Sequence, residues 1–299
     1  MTGALAKQAA ERVVGQRVDA LQTLSAGQTS KAWLATLGSD KWVVRVPIGG
    51  SDRRITYQVE SLIDRYLGLR RHQVAVSTPV EVAGVPCSVA RYLQGVPVTY
   101  GENWCDEFGR AFAKLLEDLH AMPAQGHGPL VNRGDTAIGL STSRRQAIVD
   151  RWCHARIWPF DDSSLGEHPI MQVDPRIGEI AGGLVREIER AQSGSTGVIH
   201  SDLHREHLLL GDDDSLAGVL DFGDAFVGAT AWDFALINWY YGEKNAELVA
   251  GAYRNGEQEL EQGRFLAVVV GLYKMDKNPA DRAVLPRLRR CIEAVRKLG

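Results

Sequence analysis

The chain has 299 residues, of which 44% are hydrophobic and 24% charged, a composition typical of a globular protein with one large domain or two modest lobes. The net charge of −3 argues against a nucleic-acid-binding protein. The longest strongly apolar run, residues 265–273, is far shorter than the roughly 20 residues that cross a bilayer, so we expect no membrane association.

Two further features predict a cytoplasmic location. The N-terminal residues lack the basic segment and the apolar run that together mark a signal peptide. The four cysteines are scattered and form no CxxC pair, which is typical of reduced thiols in a cytoplasmic protein.

Charge is distributed unevenly along the chain. Residues 1–95 contain 12 Lys and Arg against 7 Asp and Glu, whereas residues 96–299 contain 22 against 30. A basic first part and an acidic second part would suit an anion on one side of a cleft and a cation on the other. Chance variation of solvated surface charge explains the same counts equally well.

The first third of the chain predicts a small, mostly antiparallel sheet with one long helix. The strands are rich in valine and end at glycine or proline, and the long helix has apolar residues at helical spacing. In chain order, the predicted elements are a short helix over 8–20, two strands around a polar glycine turn within 21–37, a strand over 41–48, a helix over 54–69 and a hairpin over 80–93 that turns at Ala83 and Gly84.

A segment with glycine and proline, residues 94–98, is the best linker, and after it the pattern becomes helical. It divides the chain into two predicted lobes, 1–93 and 94–299. In the second lobe, helices are predicted over 105–122, 143–158, 175–192, 232–241, 244–254, 257–274 and 280–298, and loops over 123–142 and 159–174.

The stretch "HSDLHREH" raises the question of a zinc site, because His200, His204 and His207 have the spacing of metal ligands. The zinc-protease pattern HExxH requires Glu after the first His, and Ser201 stands there. A zinc hydrolase therefore remains only an alternative. We interpret His204 as a structural loop residue.

The residues that follow predict a hairpin, because two apolar strands flank a turn of glycine and three aspartates. A hairpin centred near Asp214 would place His207 opposite Asp221, with Asp202 beside them. Carboxylates and an imidazole at strand ends indicate a site for a hard cation, Mg²⁺, with Asp221 as the strongest ligand.

"HSDLHREH" followed by "LDFGDAFVGATAWDFA" resembles the catalytic core of the aminoglycoside and macrolide phosphotransferase family, which consists of protein-kinase-like small-molecule kinases. The resemblance implies an α+β, bilobal, protein-kinase-like fold. It has a small antiparallel-sheet lobe that binds the nucleotide and a larger, mainly helical lobe that carries catalysis and the substrate. It also implies ATP or GTP and Mg²⁺ as cofactors.

The family's residue roles transfer to matching positions of this chain. Asp202 resembles the base that accepts the proton of the substrate hydroxyl, and Asp221 resembles the Mg²⁺ ligand. His200 and Asp233 resemble supports of the catalytic loop. The positions that resemble nucleotide contacts are Ser25, Gly27, Thr29 and Ser30 in the glycine turn, Arg45 and its partner Glu60, and Arg91, Tyr92 and Leu93 at the hinge.

Two positions depart from the usual family pattern. His207 stands where most members have a metal-ligating Asn, although macrolide phosphotransferases also carry His there. Arg45 replaces the usual Lys and keeps a permanent cation that can grip phosphate oxygens.

The resemblance implies a small-molecule antibiotic as the acceptor and a role in resistance. Lobe charge favours an aminoglycoside, His207 a macrolide, and a sugar or amino alcohol is the alternative. Another alternative is a nucleotide-binding pseudokinase. No nucleic-acid or membrane partner is expected, and the chain should be a monomer or weak dimer. Possible walls of the substrate site are Asp161, Asp162, Glu167, Trp239 and Tyr240.

Overall fold

The computed structural model of the protein describes residues 2–26, 29–134, 136–141, 143, 166–185 and 194–296. Its helices are α1 (Thr2–Val14), α2 (Arg54–Gly68), α3 (Asp106–His120), α4 (Pro169–Val173), α5 (Pro175–Val185), α6 (Ala231–Tyr241), α7 (Glu243–Ala252), α8 (Gly256–Lys277) and α9 (Val284–Arg296). Its strands are β1 (Ala20–Ala26), β2 (Ser30–Leu37), β3 (Asp40–Pro47), β4 (Ser77–Val82), β5 (Val85–Arg91), β6 (Val96–Pro97), β7 (Ala124–Gln125), β8 (His127–Arg133), β9 (Thr136–Ser141), β10 (Thr196–Ile199), β11 (Leu208–Leu210), β12 (Leu216–Val219) and β13 (Phe226–Ala229).

The N-terminal part is a five-stranded antiparallel sheet in the order β1-β2-β3-β5-β4. The predicted strands and the hairpin at Ala83 and Gly84 are confirmed, with both turn residues at positive φ. The first helix was predicted too late: it begins at Thr2 and ends before Gly15, whose φ is 75°. A strip of buried alanines faces the sheet and carries little hydrophobic signal of its own.

Helix α2 joins the N-terminal sheet to the rest of the protein. It spans Arg54–Gly68, close to the predicted 54–69, and packs Val59, Ile63 and Leu67 into the larger hydrophobic core. That core also contains α3, α6 and α8. Since α2 carries Glu60, its packing determines where this carboxylate lies relative to the second part of the chain.

The C-terminal part is mainly helical around a buried centre. Every residue of α6 is buried, and α8 and α9 pack against it. The predicted helices after residue 232 are confirmed, as is the helix before residue 122. The predicted helix over 143–158 lies outside the described residues, apart from residue 143. Of the helix predicted over 175–192, residues 175–185 form α5, and residues 186–192 lie outside the described residues.

The prediction of loops over 123–142 was wrong. β8 and β9 pair there and join β10, β13 and β7 in a second sheet. Glycines allow the two strands to approach closely, because a Cβ at Gly139 would collide with the His127 backbone. These glycines and the turn residues interrupt the alternation of apolar residues by which a strand is identified in sequence.

The predicted linker forms β6, which pairs with β11, and β11 pairs with β12 in a three-stranded sheet. The hairpin is therefore confirmed, but its register is not. Leu208 pairs with Val219 and a bulge separates Leu209 from Leu210, so the strands are one residue out of the predicted register.

The predicted α+β class is confirmed: an antiparallel sheet forms the first part and helices dominate the second. In the part of the chain that the structure describes, no helix combines the length and the hydropathy needed to cross a membrane.

Candidate active site

The loop between β10 and β11 brings several titratable side chains together. The chain turns sharply at Ser201, whose φ of 63° is left-handed. Non-glycine residues keep that conformation only where surrounding contacts hold them. Here the Asp233 carboxylate accepts hydrogen bonds from the backbone N–H groups of His200 and Ser201, both at 2.9 Å. The Ser201 hydroxyl donates to the Asp224 carbonyl at 2.6 Å.

Asp233 is fully buried and has a third donor in His120, at the end of α3. His120 Nε2 donates to Asp233 Oδ2 at 3.0 Å, and its Nδ1 is 2.8 Å from the Tyr253 hydroxyl. A buried carboxylate is costly unless hydrogen bonds satisfy it. Asp233, which the resemblance suggested as a support of the loop, is thus hydrogen-bonded to the loop backbone and to His120. His120 was not among the predicted site residues, and its only signal is its place at the end of the helix "LEDLHAM".

Both ring nitrogens of His200 have backbone partners. Nε2 is 2.9 Å from the Leu220 carbonyl, and since a carbonyl only accepts, Nε2 carries the proton. Nδ1 accepts from the Asp202 N–H at 3.3 Å. Burial and then the neighbouring His207 lower the pKa of His200, which keeps the ring neutral. His200 therefore ties the strand that leads to Asp221 to the loop that carries Asp202.

Asp202 has one carboxylate oxygen near two imidazoles. Its Oδ2 lies 3.7 Å from His204 Nε2 and 3.8 Å from His207 Nδ1. His204 Nδ1 accepts from the Glu206 N–H at 3.3 Å, so Nε2 carries the proton of the neutral ring and faces Asp202. Burial and then His207 lower the pKa of His204 and favour that neutral form. The Asp202 side chain is 33% exposed, so a hydroxyl group can reach it.

Asp221 meets His207 by a route different from the predicted strand pairing. In the observed register the Leu220 N–H donates to the His207 carbonyl at 2.8 Å. Asp221 then takes a left-handed conformation, with φ 61° and ψ 62°. Its carboxylate Oδ2 lies 3.6 Å from His207 Nε2.

This facing pair fits a divalent cation. His207 Nδ1 is 2.6 Å from the Asp202 carbonyl, so the proton of the neutral ring lies on Nδ1. Nε2 then presents a lone pair to Asp221 Oδ2, and two electron-rich atoms attract each other only through a proton or a cation. Ligand atoms of Asp202, His204 and His207 also lie within 4.8 Å of one another. The residues best placed to hold a metal are Asp221 and His207, with Asp202 adjacent.

Arg45 on β3 approaches Asp221 from the other side. Its guanidinium forms an ion pair with Glu60 of α2 and lies 3.4 Å from Asp221 Oδ1. Burial by itself would raise the pKa of Asp221, but nearby positive charge, that of Arg45 first, outweighs it and lowers the pKa to about 2. Asp221 is therefore ionised at neutral pH. The predicted Arg45–Glu60 pair forms in the structure.

One turn beyond Glu60, the buried Asp64 carboxylate accepts a hydrogen bond from the Ser77 N–H at 3.1 Å. Burial raises the pKa of Asp64 to about 7, although this hydrogen bond and the charge of Arg45 act in the opposite direction. A carboxyl of this kind is partly protonated at neutral pH.

Arg53, directly before α2, is a cation beside the metal pair that no sequence signal marked. A Cβ atom at Gly223 would lie 3.2 Å from Asp221 Oδ1 and 3.9 Å from Arg53 Nη2. The charge of Arg53 also contributes to lowering the pKa of Asp221. Its Nε is buried, and no group among the described residues accepts a hydrogen bond from it. Arg53 is thus a second cation near Asp221, in addition to Arg45.

Comparison with known proteins agrees with this geometry. The phosphotransferase enzyme family matches the chain over residues 20–266. The chain belongs to this family. A comparison with curated protein sequences found no match.

Solved structures of kinases share the fold of this phosphotransferase. Aminoglycoside phosphotransferase APH(4)-Ia is 18% identical, with a TM-score of 0.64 over 100% of both chains. Spectinomycin phosphotransferase APH(9)-Ia, solved with ADP and spectinomycin, is 12% identical, with a TM-score of 0.60 over 98% of this chain and 93% of that one. A putative fructosamine-3-kinase from Haemophilus somnus 129PT is 13% identical, with a TM-score of 0.62 over 99% of both chains. The predicted family and the kinase-like fold are confirmed.

The predicted nucleotide contacts of the phosphotransferase are only partly described. Gly27 lies outside the described residues, as does the side chain of Ser25. Thr29 contributes its carbonyl to hydrogen bonds with Ile48 and Ser51, and the Ser30 hydroxyl is 2.9 Å from that of Tyr57. Thr29 is therefore anchored to the segment before α2, and Ser30 to α2 itself.

The hinge residues differ in what they can offer a purine. The Arg91 side chain is exposed and pairs with Asp40 at 3.6 Å. The Tyr92 N–H already donates to the Lys41 carbonyl at 3.0 Å. Leu93 follows the last sheet hydrogen bond, and a Cβ at Gly218 would touch its side chain. The role of Leu93 in meeting a base stays a prediction.

Among the predicted substrate walls that the structure describes, Tyr240 is the one with a contact to the catalytic loop. Asp161 and Asp162 lie outside the described residues, and Glu167 is exposed before α4. Trp239 is 1% exposed and packs in the core against α8, so it lines no surface. The Tyr240 ring lies 6.5 Å from that of His204, with its edge toward it.

Proposed function

We propose that this protein is a nucleotide-dependent kinase that transfers a phosphoryl group to a hydroxyl of a small molecule. The observation that supports it most strongly is the pair formed by His207 Nε2 and Asp221 Oδ2, 3.6 Å apart, with Asp202 next to it and Arg45 beyond it. Membership of the phosphotransferase enzyme family supports the same reaction class.

In this proposal the residues of the loop divide the work of phosphoryl transfer. Asp221 and His207 would hold Mg²⁺, which neutralises charge on the nucleotide phosphates. Arg45 and Arg53 would face the phosphate oxygens with permanent cations. Asp202 would accept the proton of the acceptor hydroxyl, with the Nε2–H of His204 facing its carboxylate at 3.7 Å.

Nucleotide use is supported by relatives of the same fold. APH(4)-Ia was solved in ternary complexes with AMP-PNP or ADP and hygromycin B. ATP and GTP are both to be tested, because Leu93 offers backbone groups that either purine can meet. Residues 1–93 would form the nucleotide lobe and 94–299 the acceptor lobe.

An antibiotic acceptor is the first class to test, with aminoglycosides before macrolides, and resistance would be the biological outcome. Hygromycin B and spectinomycin bound to relatives support this order. The fructosamine kinase likeness supports the alternative, a sugar or amino alcohol.

The experiment is a nucleotide-consumption screen with Mg²⁺ and either ATP or GTP against aminoglycosides, macrolides, peptide antibiotics, sugars and amino alcohols. We expect at least one acceptor to stimulate consumption in the natural chain, and Asp202→Asn to abolish that stimulation. Nucleotide binding without turnover on any acceptor would instead support a pseudokinase.

A further inference from the structure

Two tyrosines and three cations lie together beside the catalytic loop. We call them the basic platform: Tyr100, Tyr240, Arg205, Lys274 and Arg287. They come from the segment after β6, from α6, from the catalytic loop, from α8 and from α9, so only the folded chain brings them together.

The two rings form the floor of the platform. Tyr100 and Tyr240 are stacked, with centroids 5.6 Å apart and planes 13° from parallel. Arg287 Cζ lies 4.8 Å from the Tyr100 centroid and 5.9 Å from the Tyr240 centroid. Arg205 Cζ is 5.7 Å from Tyr100, and Lys274 Nζ is 5.6 Å from Tyr240. Cations above aromatic faces keep their positive charge available on the outer side.

The platform is one side chain away from Asp202. His204 bridges the two, because its Nε2 is 3.7 Å from Asp202 Oδ2 and its ring is 6.5 Å from that of Tyr240. A molecule with its hydroxyl at Asp202 would therefore lie over the platform.

Within the described residues, the cations of the platform have fewer carboxylate partners than other basic residues of this part of the chain. Arg264 pairs with Glu243, and Arg289 pairs with Asp174. Among the described residues, no carboxylate forms an ion pair with Arg287 or Lys274. Arg205 has only Glu206, at 3.9 Å and with both side chains largely exposed. Like charges so close together repel one another, and an anion placed among them would remove that cost.

Building on the kinase activity proposed above, we propose that the acceptor carries an anionic group, a carboxylate or a phosphate, which the basic platform binds while its hydroxyl lies at Asp202. Arginine matches both groups with two parallel hydrogen bonds, and Lys274 adds a point charge. This assigns the acceptor the sign opposite to that expected from the acidic balance of residues 96–299. We therefore expect sugar acids, hydroxy acids and sugar phosphates to be better acceptors than the aminoglycosides that the relatives of the same fold put first in the order of testing.

The test uses the full-length chain, inorganic phosphate as the probe and thermal unfolding as the readout. AMP-PNP and Mg²⁺ are added first, at saturation, so that the nucleotide phosphate sites are filled. Phosphate then replaces chloride at constant ionic strength. The variants are Arg287→Gln combined with Lys274→Gln, and as matched controls Arg282→Gln, which removes an exposed arginine before α9, and Arg287→Lys, which keeps the charge.

We expect phosphate to raise the Tm of the natural chain and of Arg282→Gln by roughly 2–5 °C, and to leave the double variant unchanged. Arg287→Lys should keep part of the rise. When the acceptor screen is extended to anionic sugars, a sugar acid or sugar phosphate should stimulate turnover more than its parent sugar, and Arg287→Gln should raise its KM about tenfold or more.

An absent phosphate effect, or an equal one in the double variant, would overturn the assignment while the kinase proposal stands. So would a best acceptor that is a polycation with a KM unaffected by Arg287→Gln. Failure of AMP-PNP and Mg²⁺ to raise the Tm in the first step would count against the kinase proposal itself, and the acceptor assignment would fall with it.

Discussion

Asp233→Asn tests whether the fold sets the geometry of the catalytic loop through one buried carboxylate. The two Asp233 oxygens accept three hydrogen bonds, from the His200 N–H, the Ser201 N–H and His120 Nε2. An amide has one oxygen and one NH₂ group. Whichever way the introduced amide is oriented, its NH₂ group faces at least one N–H donor that has lost its acceptor.

The size of the effect follows from that count. A hydrogen bond to a charged group contributes about 1.5–3 kcal/mol, and a buried unsatisfied donor costs about 1–3 kcal/mol. Loss of the buried charge offsets part of this cost, so we expect the free energy of unfolding to fall by about 2–4 kcal/mol. With about 2 °C per kcal/mol for a chain of this size, the Tm should fall by roughly 4–8 °C. Release of the strained Ser201 should displace Asp202 and lower kcat about 10- to 100-fold.

The assay is thermal unfolding together with steady-state kinetics at a temperature well below the lowered Tm. KM for the nucleotide should change little, because Asp233 lies behind the loop and touches no phosphate site. Asp212→Asn is the control, since this exposed turn residue carries the same charge change. An unchanged Tm and kcat in Asp233→Asn would show that Ser201 is held by other means, and the reasoning would be refuted.

Four further outcomes are expected. Asp202→Asn should keep nucleotide affinity and lose about 10²–10⁴-fold in kcat, and unchanged turnover at saturating substrate would remove it as the base. Asp221→Ala should abolish Mg²⁺-dependent activity, and His207→Ala should weaken metal dependence less. His207→Asn should keep substantial activity. If His207→Asn were inactive and zinc restored the activity of the natural chain after chelation, the magnesium assignment would be contradicted. Arg53→Gln should raise KM for the nucleotide about tenfold at an unchanged Tm, and an unchanged KM would exclude a phosphate contact. Because burial raises the pKa of Asp64 to about 7, above its unfolded value, the folded state binds the extra proton and stability should fall as pH rises from about 4 to about 7. Asp64→Asn should remove that fall in a series of melting curves, and a persistent fall would assign it to other groups.

Sequence patterns predicted the elements wherever apolar residues follow one period. The strands of the N-terminal sheet, α2 and α3 have such patterns, and their bounds differ little from the predicted ones. The pattern failed in two places for different physical reasons. Helix α1 buries only small side chains at its centre, so its apolar face gives a weak signal. Strands β8 and β9 contain glycines that permit close approach of the backbones but carry no hydrophobic signal.

The candidate site could be predicted where its residues are close in sequence and not where the fold assembles them. The loop motif and the hairpin predicted from the sequence that Asp202, His207 and Asp221 lie together. The observed strand register differs from the predicted one, and β11 contains a bulge. In the observed register Leu220, and not Asp221, lies opposite His207. His207 and Asp221 still meet, since Asp221 follows Leu220 directly in a left-handed conformation and its carboxylate lies 3.6 Å from His207 Nε2. Arg287 and Tyr100 are far apart in sequence, and only the packing of α9 against the segment after β6 makes them neighbours.

The three histidines of the loop have the spacing of a zinc site, but their hydrogen bonds to backbone groups do not suit zinc binding by all three rings. Zinc bound by three histidines needs a nitrogen lone pair from each ring. His200 uses both nitrogens on backbone groups, donating to Leu220 and accepting from Asp202. His204 Nδ1 accepts a hydrogen bond from the Glu206 N–H, so the proton of the neutral ring lies on Nε2. Only His207 presents a free lone pair, because the Asp202 carbonyl fixes its proton on Nδ1, and that lone pair faces a carboxylate. One imidazole beside oxygen ligands suits a harder cation than zinc, so the backbone hydrogen bonds of the loop favour Mg²⁺ at a spacing that taken alone would suggest zinc.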